Sequence, residues 1–303
     1  MNEQAEVVIV IGFGKIASDV LEYLIAQRKV WGYELQFIEY EPYPTSRIEN
    51  LCLENQVVFL RLHDKAAVTR QLEMCERRTL IVSAGNKYLF PVHIIKKENL
   101  TIINFHSALL PHFPGRNAPS WAIWAGARQS GATWHMVSEG VDEGDCLWQK
   151  ACAITEDMKA YELSKKIMET AFEGFQKIFA DVILNRARTF PQGKTQEKAG
   201  AGSGTDRKTD RLHYASEIPG DGIFHLQDNV RDIYRLLRAV DYGLNQIFPR
   251  VRCVMDDGNC VEIISYKKVL HGAGGGDRTA DNGKAMICLA LDEEYDLLLK
   301  YRS

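Results

Sequence analysis

The sequence predicts an α/β protein: a doubly wound, mostly parallel sheet followed by a small, β-rich, OB-like C-terminal domain. Three observations carry this. Short β-branched runs alternate with longer helical stretches from Val7 to about Ala187, the pattern of a parallel sheet covered by helices. A polar, glycine-rich stretch without apolar periodicity breaks the chain between Arg188 and Asp210. Beyond it, strand-like runs crowd together around a strong hairpin signal at Asp257-Gly258. The expected division of the 303 residues is an α/β domain over 1–190, a linker over 191–209 and a β-rich domain over 210–303.

Taken in order, the strand candidates of the first domain are Val7–Ile11, Val57–Leu60, Leu80–Val82 and Ile102–Asn104, with the first helix directly after Gly14. Leu163, Ile167, Phe172, Phe175, Phe179 and Val182 recur at helical steps, so one long amphipathic helix closes the domain by core packing. In the second, a short helix over Val230–Val240 precedes strands at Arg250–Met255 and Val261–Val269. Ala285–Leu291 and Leu297–Tyr301 add two more, and His271–Gly283 reads as a glycine-rich loop. Trp121, Trp124 and Trp134 are expected in the core.

A hydrophobic content of 46%, a charged content of 25% and a net charge of -3 exclude fibrous and wholly disordered chains. Thirty-seven basic against forty acidic residues leave no bulk positive field, which argues against a nucleic-acid partner. Seven scattered cysteines without a CxxC, and an acidic rather than basic start, point to a reduced, cytoplasmic protein. The apolar runs are too short to span a bilayer, so no membrane association is expected.

Gly12-Phe13-Gly14-Lys15-Ile16-Ala17 follows the first strand as a GxGxxA, with Glu39 or Glu41 placed where a ribose-binding acid would end the next strand. Alone it reads as dinucleotide binding and suggests an NAD(P)-dependent oxidoreductase. Glycines at these positions also serve any strand that turns tightly into a helix packed on the same sheet.

The most informative segment is Asn104-Phe105-His106-Ser107-Ala108-Leu109-Leu110-Pro111. Residues two apart on a strand share a face, so Asn104 and His106 set an amide beside an imidazole where the strand ends. Ligands bind at that edge of an open α/β sheet. An amide and an imidazole can together hold a developing oxyanion and manage a proton, as acyl transfer to an amine requires. Further on, Gly140-Val141-Asp142-Glu143-Gly144-Asp145 puts a carboxylate in a glycine-flanked turn able to orient His106. Each residue alone also fits a structural role.

The ordered strings NFHSALLPHFPGRNAPSWAIWAG and GATWHMVSEGVDEGD resemble the signature of the folate-dependent formyltransferases, which include methionyl-tRNA and sugar N-formyltransferases. The resemblance implies a doubly wound catalytic domain with a small β-barrel-like one. It implies N10-formyltetrahydrofolate as the donor and Asn104, His106 and Asp142 as the catalytic triad. By the same resemblance the folate site falls on the backbone of Ser83, Ala84, Gly85, Asn86, Lys87, Tyr88, Leu89 and Phe90, with Val137, Gly140 and Val141 from the Val137–Asp142 loop. Gly85 would permit close backbone approach, while Leu89 and Phe90 offer an apolar wall to a flat pterin. Gly12, Phe13, Ser107 and His135 are expected on the acceptor side, His135 being similar to a residue of relatives that act on amino sugars. Ser107 departs from the Gly or Pro common after the histidine, and reads as a turn hydrogen-bonder.

A nucleotide-linked amino sugar or an amino-acid-derived amine is the favoured acceptor. Leu237–Gly243 resembles relatives of that kind, and the linker cations Lys194, Lys198, Arg207 and Lys208 are interrupted by acids. Methionyl-tRNA is the less favoured acceptor. A homodimer is an allowed assembly. A formyltetrahydrofolate hydrolase is disfavoured because its extra regulatory domain would precede the first strand, which here begins at Val7.

Overall fold

The computed structural model describes residues 4–40, 47–193, 210–271 and 285–302. They fall into two compact units, Met1–Gly115 with Gln129–Ala153 and Ser164–Leu212, and Arg116–Arg128 with Ile154–Leu163 and His213–Ser303. Segments 116–128 and 154–163, which sequence alone puts in the first domain, therefore cluster with the second. Of the expected linker only 191–193 lie among the described residues; Glu41, the four linker cations and 272–283 of the glycine-rich loop lie outside them.

The first unit is built on a seven-stranded sheet of β1 (Val7–Gly12), β2 (Glu34–Glu39), β3 (Val58–Arg61), β4 (Thr79–Ala84), β5 (Leu100–His106), β6 (Gln129–Met136) and β7 (Cys146–Ala153), in the order β3-β2-β1-β4-β5-β6-β7. The first five are parallel; β6 pairs antiparallel with β5, and β7 pairs antiparallel with β6. The mostly parallel, doubly wound expectation is thus met. All six residues of β1 and of β4 are buried, as strands covered on both faces require. On one face, Val7, Ile9 and Ile11 pack with Val68 and Leu72 of α3 (Lys65–Glu73) and Ile94 of α4 (Val92–Ile95). On the other, Tyr23 of α1 (Gly14–Trp31) meets Phe172, Phe175 and Phe179 of α6 (Ala160–Ile183) edge to face. Trp134 is wholly buried and donates its indole N–H to the Ala171 carbonyl.

Strand order reverses between β1 and β4, which makes the carboxyl ends of these strands the switch point where such folds bind ligands. Gly12 is obligatory there for packing: a Cβ would collide with the Ala84 carbonyl oxygen of the neighbouring strand.

The second unit carries a sheet of β8 (Ile223–His225), β9 (Arg252–Val254), β10 (Cys260–Leu270), β11 (Ala285–Ala290) and β12 (Tyr295–Arg302), in the order β11-β12-β10-β9-β8. The amphipathic α7 (Val230–Val240) seals its core with Ile233, Leu236 and Leu237. Three-residue β8 is too short to show in the sequence. The 257–258 hairpin forms as expected, with Gly258 at φ 83 and its N–H on the Met255 carbonyl at 2.9 Å. Trp121 is buried and stacks on His213, their centroids 3.9 Å apart.

Candidate active site

Strand register assembles the site. Ser83 on β4 pairs with Asn104 on β5, and Asn104 pairs with His135 on β6, so three polar side chains form one row across the sheet. Ser83 Oγ donates to Asn104 Oδ1 at 2.7 Å, and Asn104 Nδ2 lies 3.0 Å from His135 Nε2. His135 Nδ1 is 2.8 Å from the Met136 carbonyl. The Asn104 amide carries two hydrogens and has one imidazole nitrogen beside it, so one of its N–H groups stays available to a reacting oxygen.

One row further, His106 ends β5 and is buried. Its Nε2 is 2.9 Å from the Phe113 carbonyl, and its Nδ1 is 3.2 Å from Asp142 Oδ2. Both nitrogens thus face acceptors. Asp142 Oδ1 is also 3.6 Å from His135 Nε2, and Oδ2 accepts the Gly115 N–H at 2.7 Å. Asp142 itself is left-handed, at φ 59, in the turn after β6. Asp tolerates that region better than most side chains, because its short carboxylate can bond locally.

Burial would by itself raise the Asp142 carboxyl. The charge of His106, then the hydrogen bond and charge of His135 and the Gly115 amide, outweigh it and hold the carboxyl well below its usual range. A carboxyl depressed on folding adds stability above its unfolded value of 3.8 and loses it as pH falls through the folded one. Asp142→Asn is therefore expected to melt below the parent at pH 7, with the gap closing below about pH 4. Melting curves from pH 7 to pH 3 check this, and a constant gap would contradict the charged, paired carboxylate.

The remaining expected residues divide. Gly12 and Phe13 line a recess with Tyr40, Asn86 and Lys87 at the switch point. Lys87 is exposed, its Nζ 5.8 Å from the Phe13 ring centroid. Gly85, at φ 67, turns the chain out of β4, and a Cβ there would press on the Phe13 carbonyl oxygen at 3.0 Å. Asn86 folds onto its own turn, accepting the Tyr88 N–H at 2.9 Å. Leu89 and Val141 are exposed, and Phe90 is half-buried. Ala84 and Tyr88 are buried, the latter hydrogen-bonded to Thr69, so their side chains serve the core. Val137 ties its N–H to the Ile102 carbonyl, Gly140 begins the Asp142 turn and Ser107 is half-buried just past β5. His135 is not an exposed strand histidine: it lies between Asn104 and Asp142. Glu39 is buried against Arg61 at 2.7 Å, so this one of the two acids expected to bind a ribose is committed to an ion pair. Gln192, which sequence alone assigns to the linker, donates to the Asp142 and Gly144 carbonyls.

Residues 47–179 match the family described as Formyl transferase. The phosphoribosylglycinamide formyltransferase of Bacillus subtilis (strain 168) is 30% identical over 140 residues, which cover 46% of this chain and 69% of that protein. The chain belongs to the formyltransferase family. A methionyl-tRNA formyltransferase from Clostridium acetobutylicum is 32% identical over 206 residues, 65% of this chain and 59% of that one. Against other methionyl-tRNA formyltransferases, such as those of Caldanaerobacter subterraneus and Clostridium perfringens, the chain spans 50% of their length. In fold it is similar to an N-formyltransferase from Helicobacter canadensis, solved with folinic acid and dTDP-3-aminofucose. That likeness has a TM-score of 0.65 at 15% identity, covering 98% of this chain and 100% of that one. The GxGxxA glycines have structural work of their own: Gly12 packs β1 on β4, and Gly14, at φ 72, opens α1. Among the described residues no helix is long and apolar enough to cross a membrane.

Proposed function

We propose that this protein transfers the formyl group of N10-formyltetrahydrofolate to the primary amine of a nucleotide-linked amino sugar or an amino-acid-derived acceptor. The convergence of Asn104, His106 and Asp142 at the end of β5, with the carboxylate 3.2 Å from the imidazole, carries the reading. The donor fits the residues present: Gly85 brings bare backbone to the switch point, and exposed Leu89 and Val141 with half-buried Phe90 supply apolar surface nearby. When bound, it supplies an electrophilic formyl carbon. Attack by the amine puts negative charge on the formyl oxygen, to which the free Asn104 N–H donates. His106, charged against Asp142, stabilises that oxygen electrostatically; direct donation requires its Nε2–H to exchange the Phe113 carbonyl for substrate. The proton lost by the amine ends on the departing nitrogen, so a formamide and tetrahydrofolate result.

The test offers N10-formyltetrahydrofolate with a nucleotide-linked amino sugar, an amino-acid amine or charged initiator tRNA, between roughly 50 and 200 mM salt. Several phosphate contacts would cost ~1000-fold in affinity over that range. With a net charge of -3, formylation of a small amine with weak salt dependence is expected, and none of the tRNA. Efficient, salt-sensitive tRNA formylation would replace the acceptor, and no transfer to any amine would overturn the reading.

A further inference from the structure

After α6 the chain returns to the mouth of the site. Phe190 and Cys146 exchange both backbone hydrogen bonds, at 2.8 and 2.9 Å, so the returning segment is zipped antiparallel to the first residue of β7. Two residues later the half-buried Gln192 turns its amide onto the catalytic turn. Its Nε2 donates to the Asp142 carbonyl at 2.6 Å and to the Gly144 carbonyl at 2.9 Å. The two hydrogens of one amide thus hold the main chain on either side of Glu143.

That main chain needs holding. Asp142 is left-handed, at φ 59, a conformation whose cost, though smaller for Asp than for most side chains, its surroundings must offset. Its carboxylate is fixed from within by His106 and the Gly115 N–H. Its own carbonyl is fixed from outside by Gln192.

The geometry points to Gln192 as a positioning residue for formyl transfer, clamping the Asp142–Gly144 turn so that the carboxylate stays against His106 and the Gly115 amide. The inference rests on the function proposed above. Without the amide, the Asp142 and Gly144 carbonyls lose this hold and the left-handed turn can relax, and misplacing a catalytic group by about 1 Å can cost on the order of 100-fold in rate. Gln192→Ala removes the clamp. Gln192→Glu keeps its shape but sets a carboxylate against two carbonyl oxygens. Gln192→Asn keeps the amide one methylene short.

The experiment compares these variants and Thr189→Ala, an exposed neighbour, with the parent in two assays. In turnover with N10-formyltetrahydrofolate, Gln192→Ala and Gln192→Glu are expected to lose ~10-fold in kcat with KM for both substrates within about twofold. Gln192→Asn should recover part of the loss, and Thr189→Ala should match the parent. In hydrogen exchange, which needs no activity, peptides carrying the Gly115 N–H and residues 140–145 should exchange faster in Gln192→Ala, with the rest of the chain unchanged. An unchanged kcat, or exchange rising uniformly across the protein, would overturn the clamp. Should the parent transfer formyl to no amine, the proposed function fails, and exchange at Gly115 and 140–145 still decides whether Gln192 holds the turn.

Discussion

His106→Ala and Asp142→Asn are each expected to lower kcat by about 100-fold or more, the loss typical when electrostatic support of a developing oxyanion is removed. His106 is 5% exposed and touches both the Phe113 carbonyl and Asp142, so truncation deletes the only imidazole paired to that carboxylate's Oδ2 among the described residues. Asp142→Asn is the sharper test, because it preserves shape. The amide sets no charge beside His106, and one of its two terminal atoms becomes a donor where Asp142 offers acceptors to His106, His135 and the Gly115 N–H. Asn104→Ala should likewise fall on kcat rather than on donor affinity, since an oxyanion donor acts mainly in the transition state. Steady-state kinetics on variants shown to be folded by circular dichroism check all three. Near-parental turnover of His106→Ala or Asp142→Asn would remove the pair from the chemistry.

The sequence shows that Asn104 and His106 share a strand face, because that depends only on a period of two residues. It does not show what stands beside them. That β6 runs antiparallel against β5, with His135 opposite Asn104, follows from pairing over some thirty residues of separation. His135 could therefore be placed near the acceptor by resemblance and still be missed as a buried partner of Asn104. Ser83 is likewise expected on the folate side through its backbone; that its hydroxyl serves Asn104 follows only from the β4–β5 register. Tyr88 shows a second limit: the resemblance places its backbone on the folate side, and nothing local shows that its side chain packs with Tyr40 and Phe90 and bonds to Thr69 in the core. Domain boundaries inferred from a polar linker assume contiguous segments. The chain instead lends 116–128 and 154–163 to the second unit, and no local composition marks those exchanges.

Gly144→Ala is expected to cost about 100-fold in kcat, although residue 144 bears no functional group. A Cβ at Gly144 would collide with the Met136 carbonyl oxygen and approach the Ser138 amide nitrogen at 3.4 Å. The obstruction is backbone, and it cannot swing aside like a side chain: Met136 closes β6 and donates its N–H to the Asp145 carbonyl at 2.9 Å. Relief must come from moving the turn. The turn also carries Asp142, so the carboxylate moves with it, away from His106 and the Gly115 N–H. Overpacking of this kind costs about 1–3 kcal/mol of stability, while a displacement of about 1 Å at a catalytic group costs on the order of 100-fold in rate. The rate should therefore suffer far more than the fold. Gly258→Ala separates the two effects. That glycine has φ +83 and open space around its missing Cβ, in a hairpin of the second sheet, so alanine there strains the backbone and touches nothing at the site. It should lower the melting temperature and leave kcat intact. Full turnover in Gly144→Ala would show that the turn accepts a methyl group without carrying Asp142 along, and that the position of this carboxylate does not set the rate.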